Sequence, residues 1–200
     1  MSRWLAALAA IAAARAASAD PTAPEPTAGE VIGDQGIGGD LGVATGGRVT
    51  PGGLRVGGHY LYQLSDQDWF DGGAAFTFGG GGAACFRDRT GAMVCDHGLT
   101  DGDGVEISAT VRRYFEPNGM FRPFARVGIG VGLARFGGDS VSGFVIPLHA
   151  GGGLRAGVSD GIAVVAQAEL EVGLGFYDKG LGTEPVVGGA VVVGAEFRLQ

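Results

Sequence analysis

Apolar and polar residues alternate with a period of two along most of this chain. The segment AVVAQAELEVGLGFY, at residues 163–177, shows the pattern clearly. One parity is apolar and consists of Val164, Ala166, Ala168, Leu170, Val172, Leu174 and Phe176. The other parity is polar or small and consists of Gln167, Glu169, Glu171, Gly173 and Gly175. A two-residue period predicts a β-strand with one apolar face and one polar face.

The same alternation, interrupted by turn signals, predicts eight strands. Their expected bounds are residues 36–49, 54–64, 68–80, 105–115, 122–136, 144–158, 163–177 and 186–199. Turn residues such as Pro117-Asn118-Gly119 separate consecutive strands, and the longest predicted loop covers residues 81–104. Because no helical period of useful length is present, we expect an all-β, antiparallel, up-and-down arrangement of hairpins.

The first 35 residues lack this alternation. Residues 1–19 combine Arg3, an apolar stretch and the small residues Ala17-Ser18-Ala19, which together predict a secretory signal peptide. Residues 20–35 contain proline and acidic residues without a periodic apolar pattern and predict a flexible lead-in. Residues 36–200 then form the single expected domain, and no segment of it is apolar for long enough to predict a transmembrane helix.

Net charge and cysteine content bear on the class of partner and on the cellular compartment. The formal net charge of −7 argues against a nucleic-acid partner, which requires a basic face. Cys85 and Cys95 lie close together in the long loop, and an exported chain meets an oxidising compartment. We therefore expect a disulfide between them, with a reactive pair or a metal site as the alternatives.

Two architectures share the alternating pattern: a soluble exported barrel that binds a small apolar ligand, and a transmembrane β-barrel with its apolar face outward. The strands reach or exceed the roughly 9–11 residues that cross a bilayer, and the predicted turns on one side are short. Aromatic residues also gather toward strand ends, as in the interfacial girdles of membrane barrels. These are Tyr60, Tyr62, Trp69, Phe70, Phe115, Phe121, Phe136, Phe144, Phe176 and Phe197. The eight-stranded transmembrane β-barrel is the architecture that these features favour.

Charged residues of both signs share the polar parity of the strands. The members of this group are Arg55, Asp71, Glu106, Arg112, Arg126, Arg155, Glu169, Glu171, Glu196 and Arg198. An eight-stranded barrel has an interior just wide enough for side chains, and desolvated charges require partners. We therefore predict a network of ion pairs that plugs the lumen, with a narrow-pore, porin-like channel as the alternative.

Three segments add a resemblance to a known family. RPFARVGIGVG follows the Pro-Asn-Gly turn, HAGGGLRAGVSDGIAVVAQAEL crosses a Ser-Asp turn, and the chain ends with GAEFRLQ. With these segments, residues 36–200 resemble the small outer-membrane β-barrel proteins of Gram-negative bacteria, the OmpA/OmpX-like group. The resemblance implies a barrel-only protein in the cell outer membrane, with outer-membrane lipid and the barrel-assembly machinery as partners.

The sequence contains no arrangement that predicts catalysis, a cofactor or a metal. The acidic segment at 101–104 lacks the spacing of a calcium-binding loop. Ser140, Ser142 and His97 are the candidate catalytic groups in outward loops, and nothing in the sequence joins them. We therefore expect a protein that is not an enzyme. Its expected role is structural or in surface contact through the outer loops, with loop 81–104 as the expected binding region for an extracellular ligand.

Overall fold

A computed structural model describes residues 33–79, 84–87, 90–96, 99, 101–115, 120–159 and 161–199. The predicted signal peptide and nearly all of the predicted lead-in lie outside these residues. The described part of the chain contains no helix that is long and apolar enough to span a membrane.

The described residues form a closed antiparallel barrel of eight strands and a separate two-stranded ribbon. The barrel strands are β1 (Gln35–Thr45), β2 (Gly53–Gln63), β3 (Asp68–Phe78), β6 (Gly102–Tyr114), β7 (Phe121–Phe136), β8 (Val141–Ser159), β9 (Ile162–Tyr177) and β10 (Gly182–Leu199); the ribbon consists of β4 (Ala84–Arg87) and β5 (Met93–Asp96). Consecutive barrel strands pair with each other, and β1 closes the ring by pairing with β10. The predicted eight-stranded up-and-down barrel is confirmed.

The apolar parity of the strands faces outward. In β9 the side chains of Leu170 and Val172 are 67% and 57% exposed, whereas Glu169 and Glu171 are 7% and 8% exposed. Leucine, valine and isoleucine residues on the other barrel strands are likewise exposed on the outside. A soluble barrel with an apolar ligand cavity would place these side chains inside, so the outward apolar face argues against that alternative.

The two ends of the barrel differ. We call the end where β2 connects to β3, β6 to β7 and β8 to β9 the turn end, and the end where β1 connects to β2, β3 to β6, β7 to β8 and β9 to β10 the loop end. At the loop end β6, β8 and β10 begin at Gly102, Val141 and Gly182, three or four residues earlier than expected. The strands extend because backbone pairing continues there, for example between Gly182 and Tyr177.

The ribbon lies within the segment that we expected to be a loop. Its register places Cys85 directly opposite Cys95. Directly opposed residues on antiparallel strands have their Cα atoms about 4.5–5.5 Å apart, which is within the range that a disulfide bridges. This backbone placement is compatible with the expected disulfide, which stays a prediction.

The aromatic residues divide between the outside and the interior. Phe144 and Phe176 are exposed near the loop end, and Phe121 and Phe197 are exposed near the turn end. Two residues that we had placed among the outward aromatics point inward. Phe136 is fully buried at the loop end, and Trp69 packs against the interior aromatic side chains at the turn end. Their position follows from parity, because Trp69 is two residues from buried Asp71, and Phe136 is an even number of residues from inward Arg126.

The outward face of β9 allows a direct test of its environment. We expect Leu170→Arg, near the middle of the strand, to lower the free energy of unfolding in lipid vesicles by about 2–4 kcal/mol, because it places a charge in hydrocarbon. The matched variant Ile162→Arg, at the strand end, should cost only about 0–1 kcal/mol. Urea titration of folded protein in vesicles measures both values. Equal costs at the two depths would contradict a membrane-facing outer surface.

Candidate functional site: the charged interior of the barrel

Arg112 is the centre of an ion-pair group near the turn end. Its guanidinium is fully buried and donates from Nη2 to Asp71 Oδ2 at 2.7 Å and from Nη1 to Glu196 Oε1 at 2.5 Å. The other oxygen of Glu196 accepts a hydrogen bond from Arg155 Nε at 2.8 Å. The Arg112 guanidinium also lies over the Phe124 ring, 4.5 Å from its centroid. Two carboxylates and an aromatic face therefore surround this buried cation.

A second group lies nearer the loop end and is centred on Arg55. Arg55 Nη1 donates to Glu171 Oε1 at 2.8 Å, and its Nη2 lies 3.6 Å from an oxygen of both Glu106 and Glu169. These residues come from β2, β6 and β9, so the contacts cross the interior of the barrel. A single guanidinium thus faces three carboxylates.

Arg126 connects the two groups. Its Nε lies 3.3 Å from Glu169 Oε2, and its Nη1 lies 3.9 Å from Asp71 Oδ2. Arg126 is also the register partner of Arg112 on the neighbouring strand. Asp71 therefore lies close to both arginines. Its negative charge offsets the repulsion between these two cations, which the register places side by side.

Two histidines and one aspartate belong to the same interior, although sequence analysis did not place them there. His149 is buried, with Nδ1 3.1 Å from Glu169 Oε1 and Nε2 3.2 Å from Glu106 Oε1. His59 lies between two carboxylates in the same way, 3.4 Å from Asp40 and 3.4 Å from Glu196. Both histidines share the polar parity of their strands, and this was the signal available in the sequence. Asp40 was missed because its strand is rich in glycine and its alternation is weak.

Glycines provide the space that these side chains occupy. A Cβ atom on Gly130 would lie 2.6 Å from His149 Nε2 and 3.1 Å from Glu106 Cδ, and one on Gly57 would lie 2.7 Å from Asp40 Oδ1. Such distances are below van der Waals contact. The polar parity therefore alternates large charged residues with glycine because the lumen has no room for a second side chain at these positions.

The segment 46–52, which follows β1, packs into the loop end of the barrel. Val49 is buried in an apolar group with Ala134, Phe136, Val141 and Tyr177. The Tyr177 hydroxyl donates a hydrogen bond to the Val49 carbonyl oxygen at 2.6 Å. We expected the first strand to continue to residue 49, but it ends at Thr45 because the chain turns into the mouth of the barrel instead.

Aromatic side chains fill the turn end. Tyr114, Phe124 and Val165 are buried together, and Trp69 packs against them. Tyr114 meets Trp69 and Phe124 edge to face, with ring centroids 6.4 Å and 5.6 Å apart. The interior thus has three layers: an apolar layer at the loop end, a charged layer in the middle and an aromatic layer at the turn end.

Most of the residues predicted from the sequence for the lumen lie in the charged layer. These are Arg55, Asp71, Glu106, Arg112, Arg126, Arg155, Glu169, Glu171 and Glu196. Arg198 does not lie there, and its predicted place in the network is wrong. Its side chain is 53% exposed and its Nη2 lies 2.6 Å from Asp34 Oδ2. Arg198 comes one residue before the end of β10, so its side chain lies at the solvent-exposed turn end of the barrel rather than in the interior.

One group in the described part of the chain has donor atoms close enough to share a metal ion. It consists of Glu106, His149 and Glu171, with ligand atoms within 4.8 Å of one another. Arg55 already lies against both carboxylates, at 2.8 Å from Glu171 and 3.6 Å from Glu106. The guanidinium supplies the positive charge that a metal would bring, so we assign these residues to the ion-pair network.

Comparison with known proteins identifies the fold. No protein-family model and no curated protein matches the sequence. Among solved structures, the chain is similar to Neisserial surface protein A, with a TM-score of 0.59 and 12% identity over 83% of this chain and 96% of that chain. The chain has the fold of the small outer-membrane β-barrels.

Two further solved structures are similar to this chain. The N-terminal β-barrel domain of Pseudomonas aeruginosa OprF gives a TM-score of 0.53 at 15% identity, over 84% of this chain and 99% of that chain. A major outer membrane protein from Thermus thermophilus gives a TM-score of 0.53 at 12% identity, over 84% of this chain and 100% of that chain. The expected resemblance to the OmpA/OmpX-like barrels is therefore confirmed for the fold. These similarities and the outward apolar face agree with the expected location in the outer membrane.

Arg112 and its neighbour Arg113 form a matched pair for testing the interior. Arg112→Met should lower the free energy of unfolding by about 3–5 kcal/mol, because it removes the nearest cation from the buried carboxylates of Asp71 and Glu196. Arg113→Met should cost about 0–1 kcal/mol, because Arg113 is exposed and its ion pair with Asp68 is weak at 3.7 Å. Urea unfolding in lipid vesicles measures both. A similar, small cost for both variants would show that the interior network does not stabilise the barrel.

Proposed function

We propose that this protein is an outer-membrane β-barrel whose lumen is closed by its own side chains and whose role is structural or in surface contact through the outer loops. The observation that supports a closed lumen most strongly is the charged layer, in which Arg112 and Arg55 bind carboxylates from strands across the barrel. The outward aliphatic residues support membrane insertion, because a sheet in hydrocarbon must pair all its backbone groups and only a closed sheet does so.

The small volume of the interior cavities also supports a closed lumen. Within the described residues, two separate interior cavities have volumes of about 40 Å³ and 30 Å³. The first lies between the Val49 layer and Arg55, and the second lies between Arg55 and His59. Each has room for ordered water and not for a hydrated ion. Val49, Thr50 and Pro51 line the first cavity on the loop-end side, and His59, Asp71 and Arg126 line the second.

Ion conductance distinguishes the closed barrel from the narrow-pore alternative. We expect purified protein, shown to be folded by a heat-dependent shift in gel migration, to produce no discrete current steps in a planar lipid bilayer. A general porin added to the same bilayer serves as the positive control. Reproducible current steps from this protein would contradict the closed lumen and favour a channel.

Of the three candidate catalytic groups, Ser140 and Ser142 lie among the described residues, and His97 lies outside them. Ser140 lies in the turn between β7 and β8, where its backbone N–H donates to the Gly137 carbonyl at 3.3 Å. The Ser142 backbone N–H donates to Asp178 Oδ1 at 2.8 Å. The first bond lies within the turn between β7 and β8, and the second joins β8 to the turn between β9 and β10.

The region 81–104 is the segment that we propose for contact with a partner outside the cell. Its two-stranded ribbon extends from the loop end between β3 and β6, and the register brings Cys85 opposite Cys95. A disulfide there would hold the ribbon in one shape at no cost to the barrel, which closes through other strands. Outer-membrane lipid and the barrel-assembly machinery are the remaining proposed partners.

The proposed disulfide predicts a defined thiol chemistry. Exported protein should take up no maleimide after denaturation without reductant, and two maleimides after reduction, because the chain has two cysteines. Mass spectrometry measures the number of labels. The Cys85→Ser/Cys95→Ser variant should keep its heat-dependent gel shift, since the barrel does not depend on the ribbon. Labelling of both cysteines without reductant would contradict the disulfide.

A further inference from the structure

The turn end of the barrel contains a cavity that the closed lumen does not explain. Its volume is about 150 Å³, larger than either interior cavity, and polar groups from several strands line it. The residues that matter for its chemistry are Asp34, Trp69, Arg122, Arg155, Glu196 and Arg198.

Arg122 differs from the other arginines that line this cavity. Arg155 contacts Glu196 at 2.8 Å and Arg198 contacts Asp34 at 2.6 Å, whereas Arg122 makes no ion pair with any described residue. Its guanidinium instead lies over the Tyr114 ring, 4.1 Å from the centroid. Its Nε atom is buried and has no hydrogen-bond partner among the described residues.

The charges around the cavity leave a positive excess. Three arginines line it, but only two carboxylates do, those of Asp34 and Glu196. Glu196 is shared further, because its Oε1 also accepts a hydrogen bond from buried Arg112 at 2.5 Å. The register places Arg122 directly opposite Arg155 on the neighbouring strand, so two like charges lie side by side. Like charges on opposed residues are unfavourable unless an anion compensates them.

A second donor in the wall also lacks an acceptor. Trp69 lines the cavity, and its indole Nε1 is buried with no hydrogen-bond partner among the described residues. Guanidinium and indole N–H groups can only donate. The cavity therefore has an excess of positive charge, and two donors of its lining residues lack acceptors within the described part of the chain. An excess of positive charge is complementary to an oxyanion, to which arginine binds as a fork.

We propose that this cavity binds a small oxyanion, a carboxylate or a phosphate group, through Arg122 and Arg155, with Trp69 in the wall beside it. The site opens at the turn end, on the side that carries the short turns and the end of β10. Trp69 of the aromatic layer and Arg155 and Glu196 of the charged layer line this cavity, so the site lies where those two layers meet the turn end.

Tryptophan fluorescence provides the test, because the chain has only Trp4 and Trp69. In the full chain carrying Trp4→Phe, folded in zwitterionic detergent, sodium phosphate and sodium acetate are each titrated against sodium chloride at constant ionic strength. We expect a saturable change in Trp69 emission with at least one of the two oxyanions. Comparison of the two titrations shows whether the site binds a phosphate group, a carboxylate or both.

Substitutions of Arg122 test whether this residue binds the anion. In the same background, Arg122→Gln should bind the active anion at least about tenfold more weakly, because the charged fork is lost. Arg113→Gln removes a charge at the turn end of β6, outside the cavity, and should bind as the parent does. Each variant is first checked for the heat-dependent gel shift, and Arg122→Lys, which keeps the charge but not the fork, replaces Arg122→Gln if that variant does not fold.

Three results would overturn the proposal. The first is emission that does not change with phosphate or acetate. The second is a change that chloride produces equally, since that indicates general screening by salt. The third is the same affinity in the parent and the Arg122 variant, which would place the anion elsewhere. None of these results bears on the closed lumen, because the bilayer experiment measures that property separately.

Discussion

The requirement that every backbone N–H and C=O be paired determines the rest of this structure. A sheet that lies in hydrocarbon cannot leave an edge unpaired, so it must close on itself. Closure occurs here between β1 and β10, whose register pairs Asp40 with Gly194. Once the ring is closed, strand geometry sends one parity outward and the other inward. The aliphatic residues are therefore on the outside, and the charged residues near the middle of the strands lie in the lumen.

The size of the ring then explains the composition of the interior. Eight strands enclose a space that side chains can fill completely, and a charge in such a space needs a partner. The partners are shared: Glu196 contacts Arg112, Arg155 and His59 at 2.5, 2.8 and 3.4 Å. Shared contacts make each residue costly to remove, because several groups lose a partner at once. Glycine alternates with the charged residues for the same reason, since the space beside each of them is already occupied.

The sequence predicted which way residues face better than it predicted what they touch. Parity alone identified both faces of β9 and most of the charged interior. It could not identify contacts such as Arg112 with Glu196, which are 84 residues apart, because these depend on strand register and barrel tilt. It also could not predict that segment 46–52 turns into the barrel. Proline and glycine indicate a turn there without its direction, and the burial of Val49 depends on Phe136 and Tyr177.

Different kinds of residue occupy the two ends of the barrel, and this difference bears on the proposed functions. At the loop end the chain itself fills the mouth, and apolar contacts leave few polar groups to satisfy. At the turn end arginines stack on aromatic rings, with Arg112 over Phe124 and Arg122 over Tyr114. Arg112 lies deep and has two carboxylates, as a buried cation must. Arg122 lies at the mouth, where water lowers the cost of an unpaired charge, so a cation there can remain available for a ligand.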